Sequence, residues 1–189
     1  MKGDGQSYKI VLLGVGAVGK TALCIRYTNG KFVQNYDPTI EDCYRRIAEV
    51  DKELYHIEII DTAGTSQFSA MREMYLKSAD GFILVCSLIN KSSFLELEEM
   101  YKQIIRVKNN PNFPITIAAN KCDVSRTEWE FTEPEIESFS RSNGNMPFFI
   151  TSAKNGIVKE PFESTVRQIV SAKPQIERPV KKSSFCSLL

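Results

Sequence analysis

Apolar residues along this chain come in short runs separated by stretches of helical period. The runs Tyr8–Leu13, Asp42–Val50, Leu54–Ile60, Gly81–Ser87, Ile115–Asn120 and Phe148–Thr151 have the length of strands. The intervening pattern predicts helices over Lys20–Asn29, Phe68–Lys77, Ser92–Lys108, Glu133–Ser142 and Val158–Ala172. Such alternation predicts an α/β domain: a six-stranded, mostly parallel sheet with helices on both faces. Asp42–Val50 and Leu54–Ile60 are the exception. Only Asp51-Lys52-Glu53 separates them, so they read as a hairpin that puts one antiparallel strand at a sheet edge. Thr132 before Glu133-Pro134-Glu135 has the composition of an N-cap with proline in the first turn, and Pro161 lies near the start of the last helix. Periodicity stops at Lys173. The expected organisation is a flexible segment 1–7, one domain over 8–173, and a disordered tail over 174–189 carrying Pro174, Pro179, Lys181, Lys182, Ser183 and Ser184.

Composition narrows the picture by exclusion. A chain of 189 residues suffices for one domain with a sizeable core. The formal net charge of +1 gives no electrostatic footprint for nucleic acid. No run of 18 apolar residues predicts a membrane-spanning helix, and the first seven residues lack the apolar core of a signal peptide. The 5 cysteines include no C-x-x-C pair, as expected for a reducing compartment, and Cys24 and Cys86 sit among apolar neighbours as core residues. The single histidine, His56, shares a strand face with Leu54 and Glu58 and cannot by itself build a zinc site.

The candidate chemistry lies at predicted strand ends. Gly14-Val15-Gly16-Ala17-Val18-Gly19-Lys20-Thr21 fits G-x-x-x-x-G-K-[ST] between a strand and a helix. Glycines let backbone N–H groups wrap a phosphate chain, the helix N-terminus adds partial positive charge, and Lys20 adds a full one. The Thr21 hydroxyl is a candidate Mg²⁺ ligand. Asp61-Thr62-Ala63-Gly64 ends another strand; Asp61 suits Mg²⁺ held through water, and Gly64 allows close approach of its N–H to a terminal phosphate. In Asn120-Lys121-Cys122-Asp123, the Asp123 carboxylate can accept the N1–H and 2-amino group of guanine, a donor pair that adenine lacks. Asn120 would brace the loops and the Lys121 stem would cover one face of the base. Thr151-Ser152-Ala153-Lys154 can offer a backbone N–H to guanine O6. The acidic loop Tyr36-Asp37-Pro38-Thr39-Ile40-Glu41-Asp42 places Thr39 to close over Mg²⁺ and a γ-phosphate. The last four residues, Cys186-Ser187-Leu188-Leu189, read as C-a-a-X with terminal Leu, which favours geranylgeranyl on Cys186. One prenyl chain needs a second signal, and Lys181 and Lys182 supply a modest basic one, so a reversible anchor is expected.

From Tyr8 onward these motifs, in this order, resemble the Ras family of small GTPases. The resemblance implies a GDP/GTP switch with Mg²⁺, cycled by exchange factors and GTPase-activating proteins, monomeric, and working at the cytoplasmic face of a membrane. It implies a phosphate-binding set of Gly14, Gly16, Ala17, Val18, Gly19, Lys20, Thr21, Ala22, Tyr36, Thr39 and Gly64, and a guanine set of Phe32, Asn120, Lys121, Asp123, Ser152, Ala153 and Lys154. Metal contacts fall to Thr21, Thr39 and Asp61, and catalysis to Lys20, Thr39, Gly64 and Thr65. Tyr36 to Ile40 with Glu41, Asp42, Cys43 and Tyr44 match the effector segment, which would add a strand of a Ras-binding-like domain to the sheet edge. Most relatives carry Gln after D-x-x-G, to orient the attacking water; here the residue is Thr65. The run Thr65-Ser66-Gln67-Phe68-Ser69-Ala70-Met71-Arg72 is similar to the Rap branch, which implies that a Rap-type activating protein supplies an Asn instead. Asn35 departs from the Lys usual in that branch, Ala17 replaces a frequent Gly, and Val124–Thr132 runs slightly long. The alternative is a slowly hydrolysing, mainly GTP-bound adaptor.

Overall fold

The computed structural model describes residues 7–33, 41–63 and 70–173. Six strands, β1 (Ser7–Leu13), β2 (Glu41–Val50), β3 (Glu53–Thr62), β4 (Gly81–Ser87), β5 (Ile115–Asn120) and β6 (Phe148–Ile150), form one sheet in the order β2-β3-β1-β4-β5-β6. Only the β2–β3 pair is antiparallel. Val50 pairs with Glu53, so the hairpin turn is Asp51-Lys52 alone, both residues at positive φ. Glu53 therefore belongs to the strand; a two-residue loop with this backbone matches the twist of the strands it joins.

Alternation along β1 divides the core in two. Ile10 and Leu12 face the side covered by α1 (Lys20–Asn29) and α6 (Lys159–Ala172), where Leu23, Tyr27, Phe162, Val166 and Ile169 are buried. Val11 and Leu13 face the other side, packed with residues of α2 (Ala70–Ser78), α3 (Lys91–Leu95), α4 (Leu97–Lys108) and α5 (Glu133–Ser142). Every residue of β4 is buried, as befits a central strand covered on both faces. The single helix expected over Ser92–Lys108 is two helices with Glu96 between them. Its φ of −66° and ψ of −17° tighten the chain there. Phe94 before the break stacks on Phe131 at 4.5 Å, while Leu97 and Ile104 after it pack into the sheet-side core. A 3₁₀ turn at Arg126–Glu128, which the apolar pattern does not reveal, follows β5.

The strand order reverses beside β1. Leu12 stands in register with Asp61, Leu13 with Leu84, Ser87 with Asn120, and Ala119 with Ile150. β1 and β3 thus end together, β5 and β6 end together further along, offset by the stretch from Leu84 to Ser87 of β4, and all four carboxyl ends lie along one edge, the place where open α/β sheets bind ligands.

Candidate nucleotide site

The loop after β1 is held from three sides. Gly14 passes so close to β4 that a Cβ would lie 2.3 Å from the Val85 carbonyl oxygen. Gly19, at φ +98°, leads into α1, and a Cβ there would lie 2.4 Å from Asn120 Nδ2. No L-residue with a side chain fits either place without a shift of backbone or of Asn120. Asn120 Nδ2 donates to the Val18 carbonyl at 2.9 Å, across 102 residues of sequence, and Thr151 Oγ1 donates to Asn120 Oδ1 at 3.4 Å. These two bonds join the loops after β1, β5 and β6 through Asn120.

Lys20, the first residue of α1, is 6% exposed. Its Nζ donates to the carbonyls of Gly14 at 2.8 Å and Val15 at 2.9 Å, so the ammonium sits inside the curl of the loop. No acidic residue occupies the first turn of α1, so the positive dipole end of the helix is not offset there. Ala17 adopts φ +62°, a left-handed conformation that costs a side-chain-bearing residue about 1–2 kcal/mol. The Gly frequent at this position would adopt that conformation without the cost.

Thr21 and Asp61 meet. The Thr21 hydroxyl donates to Asp61 Oδ2 at 2.5 Å. Asp61 is fully buried, and its Oδ1 has no hydrogen-bond partner among the described residues. Burial raises its pKa to about 6, against the opposing pull of the Thr21 hydroxyl and the Lys20 ammonium. A buried carboxylate with an orphaned oxygen beside a hydroxyl is a donor set that fits a hard divalent cation.

The guanine-side residues also assemble. Ser152 Oγ, fully buried, donates to Asp123 Oδ1 at 2.6 Å and accepts the Asn155 N–H at 3.0 Å. The Thr151 N–H donates to Ala119 and the Cys122 N–H donates to Thr151, both backbone bonds that lock the two loops together. Lys121 sits at φ +72°, which turns the chain between Asn120 and Asp123. The Ser152–Asp123 bond is a feature that motif reading missed: both residues were named for contacts with the base, and nothing in their spacing of 29 residues announced a bond to each other. Ala153 is buried, Lys154 is exposed, and Phe32 is 39% exposed beyond the end of α1.

Of the effector segment, Asp42, Cys43 and Tyr44 lie on β2, which is bonded to β3 on one flank and is an edge of the sheet on the other. The Tyr44 hydroxyl donates to Asp42 Oδ2 at 3.3 Å, and Cys43 Sγ donates to Glu58 Oε1 at 3.2 Å. Glu41 is described by its backbone alone. Tyr36, Asp37, Pro38, Thr39, Ile40, Gly64, Thr65 and Cys186 lie outside the described residues.

A phosphate-loop lysine curled into its own loop, at the switch point of a mostly parallel sheet, defines a P-loop protein with the α/β fold of a GTPase. The Ras family model matches residues 9–171. The chain belongs to the Ras family and is a small GTPase.

Proposed function

We propose that this chain is a membrane-anchored GDP/GTP switch of the Rap type, whose hydrolytic step is completed by an activating protein. The observation that supports it most is the convergence of Lys20, the Thr21–Asp61 pair, Asn120 and the Ser152–Asp123 pair on one sheet edge. Backbone N–H groups of Gly14 to Ala22 and the Lys20 ammonium bind the phosphates and neutralise charge that develops on them. Thr21, Thr39 and Asp61 would hold Mg²⁺, Asp61 through water; when bound, the ion adds positive charge at the β- and γ-phosphates. Asp123 accepts two N–H donors from guanine, and Ser152 fixes the carboxylate for that task. The Ser152 and Ala153 backbone serves guanine O6, while Phe32 and the stems of Lys121 and Lys154 flank the ring.

Thr65 carries no amide to orient the attacking water. Intrinsic hydrolysis is therefore slow, and a Rap-type partner contributes the missing group. The acidic segment Tyr36 to Tyr44, whose residues Asp42 to Tyr44 lie on the β2 edge, would serve effectors with Ras-binding-like domains. A geranylgeranyl chain on Cys186, helped by Lys181 and Lys182, places the switch reversibly on a cytoplasmic membrane face. The second reading, a mainly GTP-bound adaptor, rests on Thr65 alone.

Nucleotide choice tests the site directly. With a fluorescent GDP analogue bound, unlabelled GTP is expected to displace it at least 10³-fold more effectively than ATP, because adenine leaves the Asp123 carboxylate unpaired. Equal competition by ATP would remove the guanine assignment and favour an ATPase or kinase.

A further inference from the structure

Beside the guanine loops, the slightly long segment 124–132 builds a surface groove that the nucleotide chemistry does not use. It has a volume of about 630 Å³ and is lined by Trp129, Phe131, Pro134 and Phe148, with Arg126, Glu133 and Glu137 among its polar residues. The floor is fixed. Phe131 is buried against Phe94, the Glu130 N–H donates to the Leu88 carbonyl at 2.8 Å, and the Glu130 carboxylate accepts the Lys91 N–H at 2.6 Å. Along one side runs β6, the edge strand opposite β2.

The groove already displays the chemistry of an occupant. The Arg126 guanidinium lies 5.1 Å from the centre of the Trp129 ring and 3.3 Å from a Glu133 carboxylate oxygen. Its side chain is nevertheless 81% exposed, so water competes for it on its outer side. An exposed cation–π contact and an exposed ion pair are each weak and readily exchanged. The surroundings favour another cation. Glu133 and Glu137 line the groove, and with Glu128, Glu130 and Glu135 they fall within ten residues, 128–137, that contain no lysine or arginine. Among the described residues, Lys91 and Arg141 also reach this cluster and are engaged with Glu135 and Glu137.

We propose that this groove docks a basic, extended segment of a partner protein, whose arginine replaces Arg126 over Trp129 and against Glu133. Apolar side chains flanking that arginine would rest on Pro134 and Phe148. The surface is separate from the effector edge at β2, so both could be engaged together.

Trp129 is the only tryptophan in the chain, which makes its emission a reporter confined to the groove. The test titrates full-length, GDP-loaded protein with a capped pentapeptide alternating leucine and arginine, and with its glutamate-for-arginine counterpart. A saturable change in Trp129 emission with the arginine peptide alone is expected. Arg126→Ala should tighten that binding about two- to fivefold by removing the internal competitor, and Glu133→Gln should weaken it by a similar factor. Both positions lie outside the nucleotide site, so GDP release should be unchanged and reports that the variants are folded. Absence of a saturable change in wild type and in Arg126→Ala would overturn the proposal, as would equal binding of the glutamate peptide. A concentration-dependent emission change without peptide would make a second copy the occupant. An emission change on deleting 174–189 would make it the chain's own Lys181-Lys182 segment. Either result would also overturn it.

Discussion

Ala17 holds a backbone conformation that glycine adopts at little cost. Ala17→Gly should therefore stabilise the GDP-loaded protein by about 1 kcal/mol, which in a domain of this size raises Tm by about 2–4 °C. A lower Tm in the variant would mean that the left-handed turn is not a source of strain. Gly16 presents the opposite case, because a Cβ there meets nothing within 4 Å. Gly16→Val should leave the fold and nucleotide binding intact and, if the proposed function holds, abolish stimulated hydrolysis by filling that open space beside the phosphate loop. Stimulated rates equal to wild type would contradict that. At the guanine loops, Ser152→Ala removes a short hydrogen bond to a carboxylate. Charge-assisted bonds contribute about 1.5–3 kcal/mol, so GDP affinity should fall about tenfold or more, with selectivity over ATP reduced. Unchanged affinity would show that Asp123 needs no such positioning.

Elements were legible where local chemistry decides them. Gly81–Ser87, Ile115–Asn120, Lys20–Asn29 and Glu133–Ser142 have the bounds that the pattern predicts. In each, a loop signal or a cap coincides with the change of period. For α5, the Glu135 carboxylate accepts the Thr132 N–H at 2.8 Å and the Thr132 hydroxyl at 3.0 Å. The Thr132 N–H, then Lys91, hold the Glu135 pKa below the usual glutamate range. A depressed carboxylate contributes stability above its unfolded pKa, about 4.3, that is lost as pH falls through the folded value. The Tm gap between wild type and Glu135→Gln should accordingly shrink as pH falls from 7 to below 4; a gap independent of pH would refute the cap's electrostatic part. The break at Glu96 and the 3₁₀ turn at Arg126–Glu128 escaped the pattern for a physical reason. Contacts distant in sequence accompany both, Phe94 with Phe131 in one case and Glu130 with Leu88 and Lys91, beside the local Ser125 cap, in the other. The same holds within the site. Motif spacing pointed to Lys20, Thr21, Asp61, Asn120 and Asp123, whereas the bonds that hold Asn120 to Val18 and Asp123 to Ser152 are tertiary.

At the scale of the molecule, one mostly parallel sheet brings the carboxyl ends of four strands to one edge, and two cores fix the sheet from opposite faces. That rigid edge explains binding; it does not by itself position a water for attack. Lys20 and the loop amides can stabilise charge on the phosphates, while Thr65, where most relatives carry Gln, has no amide. Under the proposed function, binding is carried by this chain and efficient turnover by a partner, a separation of roles. Single-turnover hydrolysis of preloaded GTP, with and without a Rap-type activating protein, tests that separation most directly. The account predicts slow basal decay and acceleration on the order of 10³–10⁵-fold, the range that activation reaches in Ras, itself the reference case for this magnitude. Absence of acceleration would contradict it and leave a standing GTP-bound adaptor.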